Sequence, residues 1–386
     1  MTVDWRSEWF EVSDATYLNF AAHGLLPRVA AQAVERAMEA KARPHRGEDA
    51  SFFESASRAR ARMASLLGAS GDDIALVTGA GAGAATLASA IDWRPGDEVV
   101  LARGDFPVQL ATWQPLEARH GVRVRIAEPR GPFVCADDLA AALTPRTRVV
   151  SVSHVRFDDG SLLEVEPLAA ACRARGVVLV LDVSQSCGAL PIDVGRLGAD
   201  VLIGAGYKYL LGPWGTGFLW MRRELLDALP PSPFNWIAQG VDRFSALSYS
   251  DPRPAGGAMR FDAAEYASPY NFNLAAMAAA LELVVRASPS IVLAHARTLV
   301  DRLFAGLPAP CVPASPLPAA ARGSFGCFTA GSWQASAALF DRLRREGVIV
   351  AFREGRIRVA PHLYNSADDI DRLLAVVREW TKEQGG

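Results

Sequence analysis

The sequence VLVLDVSQ at residues 178–185 predicts a buried apolar strand that ends in a carboxylate, Asp182. The sequence GYKYLLGPWGTG follows at residues 206–217, where Lys208 comes after another apolar strand and before a glycine- and proline-rich loop. No acidic residue within several positions could hold this lysine as a surface ion pair. In apolar surroundings the pKa of a lysine falls and its amine becomes nucleophilic, as an imine-forming lysine requires. The alternatives are a solvated lysine at a loop tip and an aspartate that only caps a helix.

The region around these two stretches alternates short apolar runs with helical patterns. The candidate strands are residues 74–77, 98–101, 122–126, 148–152, 177–181, 201–203 and 217–220. Apolar strands separated by amphipathic helices predict an α/β fold, with a mostly parallel seven-stranded sheet between helices. Ligands of such sheets bind beyond the carboxyl ends of the strands, which is where Asp182 and Lys208 would lie.

The flanking regions predict helices upstream and a small α+β unit downstream. The predicted helices are residues 28–42, 52–67, 272–286, 291–305, 335–346 and 368–382, and the further strands are residues 325–329, 348–351 and 356–359. Residues 251–257 form a break rich in proline and glycine, and residues 307–321 form an irregular connector. We therefore predict a large domain over residues 17–257, and a second unit made of residues 1–16 and 258–386.

Composition limits the function classes. The 386-residue chain has 40 Lys and Arg against 42 Asp and Glu, a formal net charge of -2, which gives no general attraction to nucleic acid or to an anionic membrane. The N-terminus lacks a signal-peptide pattern, and no apolar run reaches the roughly 18 residues that span a bilayer. The five cysteines are scattered and lack metal-type spacing. We expect a cytoplasmic protein without a metal site, and no nucleic-acid or membrane partner.

The sequence VTGAGAGAA at residues 77–85 runs from a strand through small residues into a helix. Bare backbone amides at a helix N-terminus bind phosphate. The same string fits a dinucleotide fingerprint, but no acid ends a second strand about 20 residues further on, where a ribose contact would lie. Asp97 and Glu98 stand at the start of their strand instead. A phosphate site is our interpretation, with tight packing of helix on strand as the alternative.

The sequence GRIRVAPHLYN at residues 355–365 predicts a strand that carries an arginine on its pocket side. The planar guanidinium of arginine suits bidentate binding of a substrate carboxylate. Arg358 is the predicted ligand, and Arg356 on the same face is its competitor. An ordinary ion-paired arginine is the alternative for both.

These motifs, in this order and spacing, resemble fold-type I enzymes that use pyridoxal 5'-phosphate (PLP). Most closely, the chain resembles the class V aminotransferase superfamily, which includes cysteine desulfurases, isopenicillin N epimerase-like proteins and kynureninases. The resemblance covers nearly the whole chain, from residue 17 to residue 366. It implies a PLP-dependent transferase fold of type I with a small C-terminal domain. It also implies a homodimer with shared active sites and an amino acid as the small-molecule substrate.

The resemblance also implies roles for individual residues. Lys208 would hold PLP as a Schiff base, the internal aldimine, and then move the α-proton of the substrate. Asp182 would pair with the pyridine nitrogen, and Gln185 would contact the phenolic oxygen. Ala80 and Gly81 would hold the phosphate through backbone amides.

Other positions follow from the same comparison. The family often places a hydroxyl residue in the phosphate loop, and since it is missing here, Ser184 or Tyr207 would supply that contact. Phe106 would stack on the cofactor ring, with an ordinary core phenylalanine as the alternative. His23 would line the substrate mouth, with a structural histidine as the alternative. The segment expected to reach a partner's site contains Trp236, Tyr266, Ser268 and Asn271.

The reaction type is less constrained. Cysteine desulfurases carry a catalytic cysteine shortly before the carboxylate-binding arginine, and residues 346–357 contain none, which disfavours a persulfide mechanism. We predict transamination of a small amino acid, ahead of cleavage at Cβ by a C–S lyase or a kynureninase-like hydrolase. Racemisation or epimerisation ranks lower, and a nicotinamide-dependent oxidoreductase is a remote alternative.

Overall fold

The computed structural model describes residues 4–12, 14–47, 53–230, 232, 255–263 and 271–384. Its helices are α1 (Arg28–Ala42), α2 (Glu54–Leu67), α3 (Ala80–Ala90), α4 (Pro107–Trp113), α5 (Pro115–His120), α6 (Ala136–Ala141), α7 (Val165–Arg173), α8 (Val194–Leu197), α9 (Arg223–Ala228), α10 (Phe272–Ala287), α11 (Pro289–Gly306), α12 (Trp333–Arg345) and α13 (Ala367–Gln384). Its strands are β1 (Thr16–Tyr17), β2 (Ile74–Val77), β3 (Glu98–Ala102), β4 (Arg123–Ala127), β5 (Thr147–Ser153), β6 (Val178–Asp182), β7 (Val201–Ala205), β8 (Gly217–Met221), β9 (Val312–Pro313), β10 (Gly326–Thr329), β11 (Val348–Ile349), β12 (Ala351–Arg353) and β13 (Arg356–Val359).

The central sheet has seven strands in the order β2-β8-β7-β6-β5-β3-β4. Strands β3 to β7 run parallel, and β8 is antiparallel to both of its neighbours. The predicted mostly parallel seven-stranded α/β sheet is therefore confirmed. The predicted strands recur with end shifts of one or two residues.

Successive residues of the central strands bury their side chains in different layers. On β6, Leu179 and Leu181 enter the larger core cluster, whereas Val180 enters the cluster on the other face, which also holds α3 residues such as Leu87. A strand buried on both faces needs apolar residues at every position, which is why these strands appear in the sequence as continuous apolar runs.

A C-terminal antiparallel sheet has the order β12-β13-β10-β9 and packs its apolar face against α12 and α13. The prediction of one strand over residues 348–351 was wrong. The chain divides there, because β11 pairs in parallel with the N-terminal β1, whereas β12 pairs with β13. The connector at residues 307–321 is confirmed as largely irregular, although it contains the short β9. The predicted domain boundary at residue 257 stays a prediction.

In the part of the chain that the structure describes, no single helix is both long and apolar enough to cross a bilayer. Helices α10 and α11 reach that length and apolarity only as a pair, and they are bent by 72° at the residue between them.

Candidate cofactor and substrate site

Asp182 and Lys208 lie at the carboxyl ends of two neighbouring central strands. Asp182 is the last residue of β6, and Lys208 lies three residues after β7 ends at Ala205. Both are buried, with exposed fractions of 5% and 6%. Burial lowers the pKa of Lys208 to about 8, although the carboxylate of Asp182 opposes that shift. About one tenth of the amine is therefore neutral, and so nucleophilic, at pH 7.

The carboxylate of Asp182 is only partly hydrogen-bonded within the protein. Its Oδ1 accepts a 2.8 Å hydrogen bond from the backbone N–H of Ser184, and no donor of the described ranges reaches its second oxygen. The hydroxyl oxygen of Ser184 accepts the N–H of Ala205 at 3.0 Å, which ties the ends of β6 and β7 together. A buried carboxylate with a free oxygen fits the protonated ring nitrogen of PLP, because a buried charge is stable only when it is paired.

Gln185 lies against the N-terminal segment. Its Nε2 donates to the carbonyl oxygen of Ala21 at 2.9 Å, and its Oε1 is buried without a hydrogen-bond partner. One N–H of this amide is therefore already used within the protein. The contact predicted between Gln185 and the phenolic oxygen needs the second N–H, and it stays a prediction.

The first turn of α3 forms a backbone cradle. Gly79 precedes the helix with φ 155°, and no side chain caps the N–H groups that start at Ala80 and Gly81. The first N–H groups of a helix have no partner within the helix, and they bind anions well. Gly217 of β8 approaches so closely that a Cβ there would lie 2.6 Å from the Cα of Gly79. This cradle fits the phosphate of PLP. No contact within the protein tests whether Ser184 or Tyr207 supplies the missing hydroxyl.

Phe106 faces the lysine, and its stacking on the cofactor ring stays a prediction. The Nζ of Lys208 lies 5.1 Å from the centroid of the Phe106 ring. Asp105 anchors this loop, because its carboxylate accepts hydrogen bonds from the hydroxyl and N–H of Ser153 and from the N–H of Phe106. Asp105 was not predicted from the sequence. It lies three residues after β3 ends at Ala102, whereas Asp182 is the last residue of its strand.

Arg358 lies in the same buried region, whereas Arg356 is engaged elsewhere. Arg358 is 2% exposed, donates from one terminal nitrogen to the carbonyl oxygen of Phe157 at 2.8 Å, and leaves its Nε without a partner. Arg356 forms an ion pair with Asp158 at 2.9 Å. Arg358 therefore retains hydrogen-bonding capacity for a carboxylate, and its role as substrate ligand stays the prediction. Phe157, whose ring also lies 5.3 Å from that of Phe106, was not predicted from the sequence.

His23 lies at the rim beside the lysine loop. Its ring centroid lies 6.1 Å from that of Tyr207 and 5.5 Å from that of Trp214, and these two aromatic rings stack at 3.7 Å. Trp214 is 59% exposed. This position suits the predicted substrate mouth. Of the residues expected to reach a partner, Trp236, Tyr266 and Ser268 lie outside the described residues, and Asn271 caps α10.

Cys327 is the cysteine closest in sequence to Arg358, the predicted carboxylate ligand, and it is unsuited to carry sulfur. Its Sγ is fully buried and donates to the carbonyl oxygen of Asp158 at 3.3 Å. Burial raises the pKa of this thiol to about 12, so that it stays protonated. Since the thiolate is the nucleophile, this residue lacks the reactivity of a persulfide carrier.

Comparisons with known proteins agree with this geometry. The family model for class-V aminotransferases matches residues 16–373. The uncharacterized aminotransferase YcbU of Bacillus subtilis (strain 168) is 29% identical over 324 residues, which cover 82% of this chain and 81% of that protein. Isopenicillin N epimerase of Streptomyces clavuligerus is 26% identical over 340 residues, which cover 84% of each chain.

Solved structures share the whole fold. A lysine-to-alanine mutant of C-DES, with glycine covalently linked to the PLP cofactor, matches with a TM-score of 0.86 at 25% identity, over 97% of this chain and 99% of that one. The complex of the cystine C-S lyase C-DES with its reaction product cysteine persulfide matches with a TM-score of 0.83 at 25% identity, over 95% of this chain and 98% of that one. The family match extends over most of the sequence, and the buried lysine, carboxylate and helix N-terminus fit one cofactor. The chain therefore belongs to the class-V aminotransferase family and is a PLP-dependent enzyme.

Proposed function

We propose that this enzyme transfers the amino group of a small amino acid, with Lys208 as the cofactor anchor and Arg358 as the ligand of the α-carboxylate. One observation carries the proposal. A buried lysine, whose pKa is lowered to about 8, is flanked by the carboxylate of Asp182 and the guanidinium of Arg358, whose charges both act on it. Such a site binds the carboxylate of a zwitterionic substrate through Arg358, and it presents the amine of Lys208, which can accept a proton.

PLP, when bound, supplies a protonated ring that accepts the electron pair left on the substrate's Cα. The chain's own residues do the rest. Asp182 holds the proton on the ring nitrogen, and the Nζ of Lys208 takes the proton from Cα. Phe106 and Phe157 give the site an apolar wall, which excludes water from the reacting atoms. The position to which Nζ returns the proton distinguishes transamination from racemisation.

The test uses the purified protein with PLP beside a Lys208→Ala variant. The wild type is expected to show a visible absorbance band that the variant lacks. Amino acids are then supplied with a 2-oxo acid, and the new amino acid is measured. Loss of the band in the variant together with amino-group transfer by the wild type supports the proposal. A wild type that shows the band but transfers no amino group from any of the twenty common amino acids overturns the assignment of transamination.

Cleavage at Cβ is the second candidate, because C-DES matches nearly the whole chain and is named a cystine C-S lyase. Such a reaction releases a sulfur product, pyruvate and ammonia from a sulfur amino acid, without a 2-oxo acid as acceptor. Assays of pyruvate and sulfide with cysteine and cystine separate it from transamination. Formation of the D-amino acid alone would indicate racemisation, the lower-ranked alternative.

A cytoplasmic homodimer is also part of the proposal. Several large apolar side chains are exposed on the described surface, among them Phe10, Met38, Trp214 and Phe272. An interface between two copies would cover such groups and bring the partner to the rim at Trp214. Sedimentation equilibrium is expected to give twice the 41.3 kDa chain mass. A monomer at micromolar concentration would contradict it.

A further inference from the structure

We propose that the substrate carries a second anionic group on its side chain, and that Arg353 of β12 binds this group. The inference rests on the proposed function in one respect, that Arg358 takes the α-carboxylate. It goes further because it names the class of substrate: an amino acid whose side chain ends in a carboxylate, sulfinate or sulfonate.

The strand register places Arg353 on the same face as Arg358. In the antiparallel pair of β12 and β13, Ala351 lies opposite Arg358, and Arg353 lies opposite Arg356. Directly opposed residues point to the same face of a sheet, and residues two apart on one strand share a face. The three arginines 353, 356 and 358 therefore form one row, which we call the arginine face.

The opposite face of the same hairpin is the one that packs in the C-terminal core. Phe352 lies opposite Ile357, and the Phe352 ring contacts Trp333 edge-on with ring centroids 5.5 Å apart. Ile357 is fully buried in that core. The arginine face is thus turned toward the central sheet, and the contacts of its members with residues 157 and 158 confirm this orientation.

The turn between the strands fixes this register. Its two central residues, Glu354 and Gly355, have φ of 47° and 76°, as expected for a two-residue hairpin turn of the primed type. Trp333 packs against Gly355 so closely that a Cβ there would lie 2.6 Å from the indole ring. A one-residue slip would move Arg353 to the apolar face, so the packing of this turn keeps the arginine in place.

Arg353, like Arg358 but unlike Arg356, forms no ion pair with an acidic residue of the described ranges. Arg356 is paired with Asp158, and Arg358 donates to the carbonyl oxygen of Phe157. The guanidinium of Arg353 donates to the carbonyl oxygen of the adjacent Phe352, and no carboxylate of the described residues forms an ion pair with it. Its charge nevertheless acts on the site, because it lowers the pKa of both Lys208 and Arg358.

With a simple amino acid as substrate, Arg353 has no counter-ion among the residues that the structure describes. The α-carboxylate needs one guanidinium, which is Arg358, and Asp182 is occupied by the ring nitrogen of the cofactor. The half-buried Arg353 then repels Arg358 unless an anion lies between the two guanidinium groups. Ala351, which lies opposite Arg358, adds no polar side chain to this face. A second anion on the substrate neutralises Arg353, and its guanidinium can bind that anion through two parallel hydrogen bonds.

The test measures binding and does not depend on turnover. The PLP-loaded enzyme is titrated by calorimetry with two inert dicarboxylates, succinate and glutarate, and with the matched monocarboxylates butyrate and valerate. The variants are Arg353→Met, Arg353→Lys and, as a control that removes one exposed charge from the same part of the chain, Arg345→Met. We expect one of the dicarboxylates to bind roughly ten- to a hundredfold more tightly than its monocarboxylate, as expected for one added charge-assisted hydrogen-bonding pair.

Arg353→Met is expected to abolish that preference and to lower the affinity for monocarboxylates by a much smaller factor than the affinity for the dicarboxylate. Arg353→Lys should retain part of it, and Arg345→Met should retain all of it. Equal binding of both acid classes, or a preference that survives Arg353→Met, overturns the inference. The two proposals can fail separately. If the dicarboxylate preference depends on Arg353 but the enzyme transfers no amino group, the proposed transamination is wrong and the anion site at Arg353 is still supported.

Discussion

The guanidinium of Arg358 donates a 2.8 Å hydrogen bond to the backbone carbonyl of Phe157, a residue 201 positions earlier in the chain. The bond joins the C-terminal sheet to the loop that follows β5. The same loop is held from both sides, since Asp158 pairs with Arg156 at 3.1 Å and with Arg356 at 2.9 Å. The predicted carboxylate ligand therefore depends for its position on the Phe157 loop.

Asp158→Asn is expected to loosen this arrangement. The change removes the negative charge shared by Arg156 and Arg356. Arg156 then keeps the longer contact with Asp159, at 3.8 Å, and its hydrogen bonds to the carbonyl oxygens of residues 103 and 104. We expect KM for the amino acid to rise about five- to thirtyfold while kcat falls less. Chemical unfolding should show a loss of about 1–3 kcal/mol, as when a buried partner is removed. Asp371→Asn, which breaks the exposed pair with Arg302, is the control. An unchanged KM would mean that the loop does not position Arg358.

Lys208 is expected to make the free energy of unfolding of the PLP-free protein change with pH in the alkaline range. Its folded pKa of about 8 lies below its ordinary value of 10.5, so the unfolded chain holds a proton that the native state releases. Stability should therefore rise with pH between about 8 and 10.5 and stay lower below that window. At pH 7, Lys208→Met is expected to be more stable than the wild type by on the order of 3 kcal/mol, and the difference should close near pH 10.5. Denaturant titrations across pH check this, with Lys382→Met as the exposed control. A constant difference across the range would contradict it.

Gly217→Ala tests the phosphate cradle through the strand residue that packs against Gly79. A Cβ at this position would meet the carbonyl oxygen of Gly204 at 2.5 Å and the Cα of Gly79 at 2.6 Å. The backbone before α3 must move, so PLP affinity should fall about tenfold or more, and stability should fall by about 1–3 kcal/mol. Gly131→Ala is the matched control, because nothing lies within 4 Å of a Cβ there. PLP titration followed by absorbance measures the effect. Equal PLP affinities for the two variants would mean that this loop does not bind the phosphate.

His362 makes the protein sensitive to acid. Its ring stacks on Phe20 with centroids 4.5 Å apart, and neither ring nitrogen has a hydrogen-bond partner. Burial lowers its pKa from 6.5 to about 3, so between those values the unfolded chain binds a proton that the native state excludes. Stability should fall as pH drops through 6.5, by about 2 kcal/mol from this residue at pH 5.

His362→Phe is expected to reduce the loss of stability between pH 7.5 and pH 5 by that amount. Part of the acid loss should remain, because burial also lowers the pKa of His154, to about 4. Unfolding by urea at both pH values is the measurement, with the exposed His120→Gln as control. If His362→Phe loses as much stability as the wild type, the residue takes up its proton within the folded state.

The sequence by itself determined the sheet, the cofactor and the positions of Asp182 and Lys208. Apolar runs of strand length and amphipathic helices are local patterns, and the motif order along the chain carried the family resemblance. Only the tertiary structure decided which strands pair and which side chains face each other. It pairs β11 with the N-terminal β1, and it leaves Arg353 facing the site without an acid. These relationships join residues far apart in sequence, and they depend on strand register and turn geometry, which no local pattern specifies.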